Sequence, residues 1–158
     1  MTRPRLALLA LLLAPAVAAA QQGTYPTSPR FVEILQLAQD GRGDSARALI
    51  DRYLDRTPAS DPSYAEALYT AATLATSGSD ARLLFSRVAV EYAQSPWADK
   101  ALLRLAQLDY GTGDTDGAIN RVRRLMLDYP DSPVTASAAL WGARAAFERR
   151  DYDTGESG

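Results

Sequence analysis

Tyr92-Ala93-Gln94-Ser95-Pro96 and Tyr129-Pro130-Asp131-Ser132-Pro133 are two copies of one short pattern, in which tyrosine, serine and proline recur 37 residues apart. A more divergent earlier copy has Thr57-Pro58 and Asp61-Pro62 at the corresponding places. A repeat of this length predicts one supersecondary unit that stacks on its neighbours. Apolar residues keep the same spacing at Ala81 and Ala118, Phe85 and Val122, Val88 and Leu125, Ala101 and Ala138, Leu103 and Leu140, and Ala106 and Ala143.

The boundaries of the helices are predicted from capping residues. Ser28-Pro29, Asp61-Pro62, Ser95-Pro96 and Ser132-Pro133 each place a side-chain acceptor before proline, which predicts an N-cap with proline at the first helical position. Glycines in the segments 41–44 and 111–114 predict turns in which glycine takes a positive φ and ends a helix. The predicted helices are 29–40, 44–56, 62–76, 80–93, 96–110, 115–129 and 133–149.

These helices are expected to be amphipathic. In the segment 115–129, Ala118, Val122, Leu125 and Tyr129 follow the period of 3.6 residues and share one face. The sequence has almost no runs in which β-branched residues alternate with polar ones, which argues against strands. The sequence therefore predicts an all-α fold whose helices bury their apolar faces against one another.

The helix pairs resemble the tetratricopeptide (TPR) family. The matching residues are Leu102, Leu105 and Ala106 in one helix, then Ala118, Val122, Leu125 and Pro130 in and after the next. Leu102 stands where the family often has tryptophan, and the period is 37 residues where the common form has 34. The resemblance implies a right-handed α-solenoid of stacked antiparallel helix pairs, with about 3.5 repeats across residues 29–150.

The segments Tyr129–Pro133 (YPDSP) and Gly113–Ala118 (GDTDGA) are similar to a periplasmic subset of that family. This subset includes CpoB-like proteins of the Tol-Pal system and BamD-like outer-membrane assembly lipoproteins. The sequence departs from both groups, because it has no cysteine for a lipid anchor and only about eight residues, 21–28, where CpoB-like proteins have a coiled coil. The resemblance implies a periplasmic scaffold without identifying its partner.

Family resemblance also implies a concave binding groove lined by one face of the first helix of each pair. An arginine and tryptophan neighbourhood there suits recognition of a peptide or protein segment. The alternative is an ordinary solvated helix face, with Trp141 buried by a following helix. The groove residues implied are Glu66, Thr70 and Thr73, then Lys100, Arg104 and Gln107, then Ser137, Trp141 and Arg144, with Tyr69 and Leu103 at the margin.

Residues 1–20 have the organisation of a secretory signal peptide. Arg3 and Arg5 precede the apolar run Leu6–Ala14, and the small residues Ala18–Ala20 predict cleavage before Gln21. The apolar run is shorter than the roughly 20 residues of a stable membrane span, although a retained anchor is the alternative. We therefore expect a periplasmic protein without a stable membrane anchor, in which residues 21–28 form a flexible leader.

The C-terminal residues 151–158 are expected to form a tail or the truncated start of a further helix. Residues Asp151–Gly155 align with Asp114–Ala118, which open the second helix of the preceding pair. The helix predicted at 133–149 would then lack a partner, leaving Trp141 and Phe147 with little cover. The alternative is a terminal capping helix, which repeat arrays need.

Several chemistries are excluded by composition. The chain has no histidine and no cysteine, which removes imidazole catalysis, thiolate chemistry and the commonest zinc ligands. Loss of Arg3 and Arg5 with the signal leaves 15 basic against 19 acidic side chains, a net charge of −4. Such a domain has little attraction for nucleic acid. We expect neither an enzyme, nor a cofactor, nor a metal site.

The function predicted from these features is an exported TPR scaffold that binds another envelope protein or a peptide segment, in division or outer-membrane maintenance by resemblance. The alternative is an accessory repeat module of a peptidoglycan-associated protein or cell-wall enzyme, whose functional domain lies downstream. Reading the gene beyond codon 158 separates these two, because a catalytic or wall-binding domain there would favour the second.

Overall fold

The computed structural model describes the backbone of residues 27–155 and the side chains of residues 27–150. Within this range the chain forms seven α-helices and no strand, which confirms the all-α class. The predicted signal peptide, and the leader up to residue 26, lie outside the described residues. The helices are α1 Pro29–Gln39, α2 Gly43–Arg56, α3 Tyr64–Leu74, α4 Gly78–Glu91, α5 Ala98–Gly111, α6 Thr115–Asp128 and α7 Thr135–Gly155.

Three helices, α3, α5 and α7, begin two residues after the proline expected at their first position, so those predicted starts were wrong. The predicted acceptors of Asp61, Ser95 and Ser132 bind the backbone N–H two residues further on. The backbone carbonyl oxygen of each of these three residues also accepts a hydrogen bond from the N–H three residues later, which closes a tight turn. These side chains therefore stabilise a turn that precedes the helix, and the predicted N-caps were wrong. The N-cap positions of α3 and α5 are Ser63 and Trp97, and Ser28, at the N-cap position of α1, makes no capping hydrogen bond with its side chain.

Two glycines end helices as predicted. Gly41 follows α1 with φ 80°, and Gly113 follows α5 with φ 81°. At the start of α4, the Ser77 hydroxyl accepts the N–H of Asp80 at 3.1 Å, an N-cap bond. The helix α7 differs from its prediction, because it continues from Thr135 to Gly155 where a break was expected near residue 150. The segment 149–154 has no glycine to take the positive φ that Gly113 takes after α5.

Consecutive helices pack against each other throughout the described part of the chain, and α1 also contacts α3, as α5 contacts α7. Two apolar clusters result, and α3 belongs to both. Its residues Ala67, Ala71 and Leu74 pack with α1 and α2, whereas Ala65, Leu68 and Ala72 pack with the cluster that continues through α7. None of the helices in the described range is long and apolar enough to cross a membrane.

The 37-residue spacing of the sequence corresponds to a repeated hydrogen bond. The Tyr92 hydroxyl at the end of α4 donates to the carbonyl oxygen of Ala59 at 3.0 Å. The Tyr129 hydroxyl at the end of α6 donates to the carbonyl oxygen of Ala93 at 2.7 Å. Tyr92 therefore fixes the end of α4 to the loop between α2 and α3, and Tyr129 fixes the end of α6 to the loop between α4 and α5, which gives the repeated tyrosine a structural reason.

A buried carboxylate joins three consecutive helices. Asp109 of α5 is 2% exposed, and among the described ion pairs it is the carboxylate that Arg82 and Arg121 share. Its Oδ1 atom accepts a hydrogen bond from Arg82 of α4, and its Oδ2 atom lies 3.3 Å from Nε of Arg121 of α6. The charge of Asp109 is thus compensated from both sides, as a buried charge requires.

Candidate functional site

The described structure has a small cleft lined by residues of α1, α3 and α5 and of the turn before α5. Its volume is about 190 Å³, comparable with one medium-sized side chain. Three of the predicted groove residues, Thr70, Thr73 and Arg104, line it together, and Tyr69, expected at the margin, forms part of the wall. The remaining lining residues are Thr27, Leu35 and Trp97.

Aromatic rings form one wall of this cleft. The Tyr69 ring centre lies 5.0 Å from that of Trp97 and 5.2 Å from that of Phe85, which lies beneath. Ring pairs at these distances hold one another in fixed orientations. Burial raises the pKa of Tyr69 further above its ordinary value of 10.0, and its protonated hydroxyl can donate a hydrogen bond.

Arg104 supplies a positive charge at the edge of the cleft. Its side chain is exposed, its Nη1 atom donates to Gln107 Oε1 at 3.2 Å, and its guanidinium carbon lies 5.7 Å from the Phe85 ring centre. The aromatic contact holds the guanidinium near the wall while leaving donors directed to solvent. Thr73 is also exposed, and its hydroxyl donates to the carbonyl oxygen of Tyr69 at 2.9 Å.

Three predicted groove residues are buried and serve packing contacts, which corrects their expected place on an open surface. Glu66 is 6% exposed and accepts hydrogen bonds from the Ser28 N–H at 2.7 Å and the Ser28 hydroxyl at 2.6 Å. Thr70 is 2% exposed, and its hydroxyl donates to the carbonyl oxygen of Glu66 at 2.8 Å. Its remaining surface closes the floor of the cleft.

Lys100 is the third of these residues, at 7% exposure. Its ammonium donates to the carbonyl oxygen of Pro96 at 2.9 Å and lies 3.7 Å from Asp99 Oδ1. Burial lowers the pKa of Lys100, and the Asp99 carboxylate partly opposes that effect. Asp99 in turn accepts a hydrogen bond from the Ser132 hydroxyl at 2.6 Å, so this lysine belongs to a buried network between α5 and the start of α7.

Trp141 and Arg144 lie in a second patch on α7. The Trp141 ring centre is 5.3 Å from that of Tyr110 in an edge-to-face arrangement, and the Arg144 guanidinium carbon is 5.0 Å from the Trp141 ring centre. A hydrogen bond with Glu148, followed by burial, raises the pKa of Tyr110. Ser137 is exposed on the same helix. The predicted set is therefore divided between the cleft, this patch and the buried networks.

Sequence reasoning missed Trp97, Leu35 and Thr27 as parts of the cleft. Trp97 immediately follows Ser95-Pro96, and the tight turn there places its ring against Tyr69. The helix period assigns faces only within a helix, so it does not indicate a residue in the turn before one. A larger hollow of about 690 Å³ lies between the loops 93–96 and 128–132, but two of its carboxylates, Asp99 and Asp128, already have partners in Ser132 and Arg124.

The described residues that line the cleft offer aromatic, hydroxyl and guanidinium groups for binding. The chain contains no histidine or cysteine, and no group of three acidic side chains suited to a metal was found in the described part. No protein-family model, curated protein or solved structure matches the chain.

Proposed function

We propose that this chain is a TPR-like binding scaffold, a right-handed α-solenoid of stacked antiparallel helix pairs that binds a peptide segment of another protein. The 37-residue repeat and the matched hydrogen bonds of Tyr92 and Tyr129 support the repeat interpretation. The contacts of α1 with α3 and of α5 with α7 support stacking, because helices separated by one neighbour meet when pairs stack.

The observation that carries the proposal is the cleft between α1, α3 and α5. Its aromatic wall of Tyr69 and Trp97 suits one apolar side chain of a bound segment, and Arg104 at its edge suits a carboxylate or carbonyl oxygen of that segment. Aromatic and arginine side chains provide much of the binding energy at protein interfaces. The patch of Trp141 and Arg144 extends the same chemistry along the array.

We place this scaffold in the periplasm and expect its partner to be an envelope protein. The signal-like residues 1–20 support export. The resemblance to periplasmic repeat proteins suggests a process such as division or outer-membrane maintenance. A mildly acidic chain without histidine favours protein binding over nucleic-acid binding or catalysis.

Site-specific photo-crosslinking in living cells tests the cleft. A photoreactive amino acid at Thr73, an exposed cleft residue, should form one dominant adduct with an envelope protein. The same group at the exposed Arg123 of α6, outside the cleft, serves as the matched control and should not form that adduct. Arg104→Glu should reduce the Thr73 adduct at least about tenfold, as expected for loss of a hot-spot arginine.

Circular dichroism of each variant checks that the fold is retained. An adduct of equal yield from both positions, or one unaffected by Arg104→Glu, would reject the cleft as the binding site. Only nonspecific adducts from Thr73 would reject it as well.

A further inference from the structure

Helix α7 repeats an apolar face that α5 buries. Counted from the proline of each Ser-Pro pair, Leu103, Ala106 and Tyr110 of α5 correspond to Leu140, Ala143 and Phe147 of α7. In α5 this face is covered: Leu103 is 9% exposed, Ala106 is 0% exposed, and Tyr110 packs on Trp141. In α7, Leu140 is 52% exposed and Phe147 is 69% exposed. We call Leu140, Ala143 and Phe147 the α7 ridge.

Helix α1 carries residues that correspond to those with which α7 contacts α5. Ala138 and Trp141 of α7, which pack towards α5, correspond in this register to Ile34 and Leu37 of α1. On α1 these residues line a hollow of about 510 Å³ together with Leu49 and Tyr53 of α2. We call this concavity the α1–α2 hollow. Its other lining residues are Arg30, Glu33, Gln36 and Asp40.

Charge is arranged to favour contact between ridge and hollow. Glu33 and Asp40 border the hollow, whereas Arg30 donates to the Tyr53 hydroxyl at 2.8 Å. Arg144 lies one helical turn after Leu140 and borders the ridge, where Glu148 is hydrogen-bonded to Tyr110. An arginine next to the ridge would therefore meet carboxylates next to the hollow.

We propose that the α7 ridge of one molecule docks into the α1–α2 hollow of a second copy, head to tail. The contact continues between molecules the packing of α5 on α7 within one molecule. Such a heterologous contact uses different surfaces on the two partners and leaves one ridge and one hollow open at the ends. Association therefore grows with concentration beyond the dimer. It does not depend on the cleft around Tyr69 and Arg104, which lies apart from both surfaces.

Sedimentation velocity of the purified protein and of variants at each end tests this proposal. Phe147→Asp disables the ridge, and the double variant Glu33→Arg/Asp40→Arg disables the hollow with substitutions at exposed positions only. The matched control is Leu127→Asp on α6, which changes a leucine of 73% exposure outside both surfaces. We expect the average mass of the wild type and the control to rise with concentration, and each end variant to associate at least about tenfold more weakly.

Mixing the two end variants provides the decisive measurement. Phe147→Asp keeps an intact hollow and the double variant keeps an intact ridge, so an equimolar mixture should form a one-to-one dimer and nothing larger. A wild type that stays monomeric overturns the proposal. A mixture that fails to form the dimer also overturns it. A symmetric contact between two ridges would give that result, and so would cover of the ridge by another segment or partner. Melting curves of the variants confirm that each is folded.

Discussion

Single residues with unusual backbone conformations determine where the helices can turn. Gly113 has a φ of 81°, and a Cβ atom added there would have no other atom within 4 Å. Its backbone conformation, and not crowding by neighbouring atoms, therefore restricts substitution. Gly111 also has open space around it but lies at the helical end of α5 without a positive φ. The two glycines therefore separate conformational strain from crowding.

We predict that Gly113→Ala lowers the free energy of unfolding by about 1 kcal/mol, because alanine is strained in the left-handed region. Gly111→Ala should be neutral or stabilising by up to about 1 kcal/mol, since alanine favours the helix. Urea unfolding followed by far-ultraviolet circular dichroism measures both. Equal losses in the two variants would show that φ at Gly113 is not the cause.

Asp61 is the carboxylate whose titration should be visible in stability. Hydrogen bonds from the Ser63 hydroxyl and then the Ser63 N–H lower its pKa below the usual 3.8. A lowered folded-state pKa gives stability that is present above pH 3.8 and is lost as the pH falls through the folded-state value. The Asp61→Asn variant should therefore show a smaller fall in melting temperature on acidification than the wild type.

The control for this measurement is Asp131→Asn, at an exposed aspartate in the corresponding kind of loop. It should follow the wild-type profile. Parallel profiles for Asp61→Asn and the wild type would mean that the Ser63 hydrogen bonds do not favour the ionised form.

The sequence predicted only part of the candidate site, because it does not show which residues of a helix face a neighbouring segment covers. Thr73 and Arg104, which the family resemblance assigned to a groove, both line the cleft. The same resemblance assigned Glu66 and Lys100 to the groove, and the helix period alone does not show how far a neighbouring helix extends over a face. The structure buries both in hydrogen bonds with residues that precede a helix, Ser28 for one and Pro96 for the other. Such contacts depend on the turn geometry between helices.

The helices themselves followed from local sequence signals. Seven helices were predicted and seven are present in the described range, because the 3.6-residue periodicity and the glycine turns are properties of short segments. The starts of α3, α5 and α7 were each misplaced by two residues, since proline occupies the second position of a tight turn there. The extension of α7 to Gly155 was missed because a repeat alignment implied a turn for which the sequence supplies no glycine.

Packing between helices depends strongly on Asp109. We predict that Asp109→Ala lowers the free energy of unfolding by about 2–3 kcal/mol, because Arg82 and Arg121 lose their shared partner on both sides of α5. The loss falls below that of a fully buried pair, since the two arginine side chains are 35% and 34% exposed and regain water.

A surface ion pair provides the comparison for this prediction. Asp128→Ala removes the partner of Arg124, at 3.2 Å between exposed side chains, and should change the free energy of unfolding by no more than about 0.5 kcal/mol. Urea unfolding of both variants gives the two values. A loss at Asp109 no larger than at Asp128 would show that the buried carboxylate does not hold the three helices together.

For the whole molecule, the predicted compartment rests on residues 1–20. We predict that the mature protein begins at Gln21 and is released from cells by osmotic shock, which mass spectrometry of the intact protein measures. Ala20→Arg should leave the precursor uncleaved, because signal peptidase requires small residues before the cut. Thr24→Ala, downstream of the cut, should be processed normally. An intact residue 1 on the wild-type protein in the cytoplasm would contradict export.

The membership of α3 in both apolar clusters has a mechanical consequence. Force applied to the two ends of the chain acts equally on both ends, so the part with the fewest apolar contacts, α1 and α2 in the smaller cluster, should yield first. Their release would leave the larger cluster from α3 to α7 intact, because one side of α3 still packs within it. A molecule stretched in an optical trap should thus lengthen in two unequal steps, with the shorter one first.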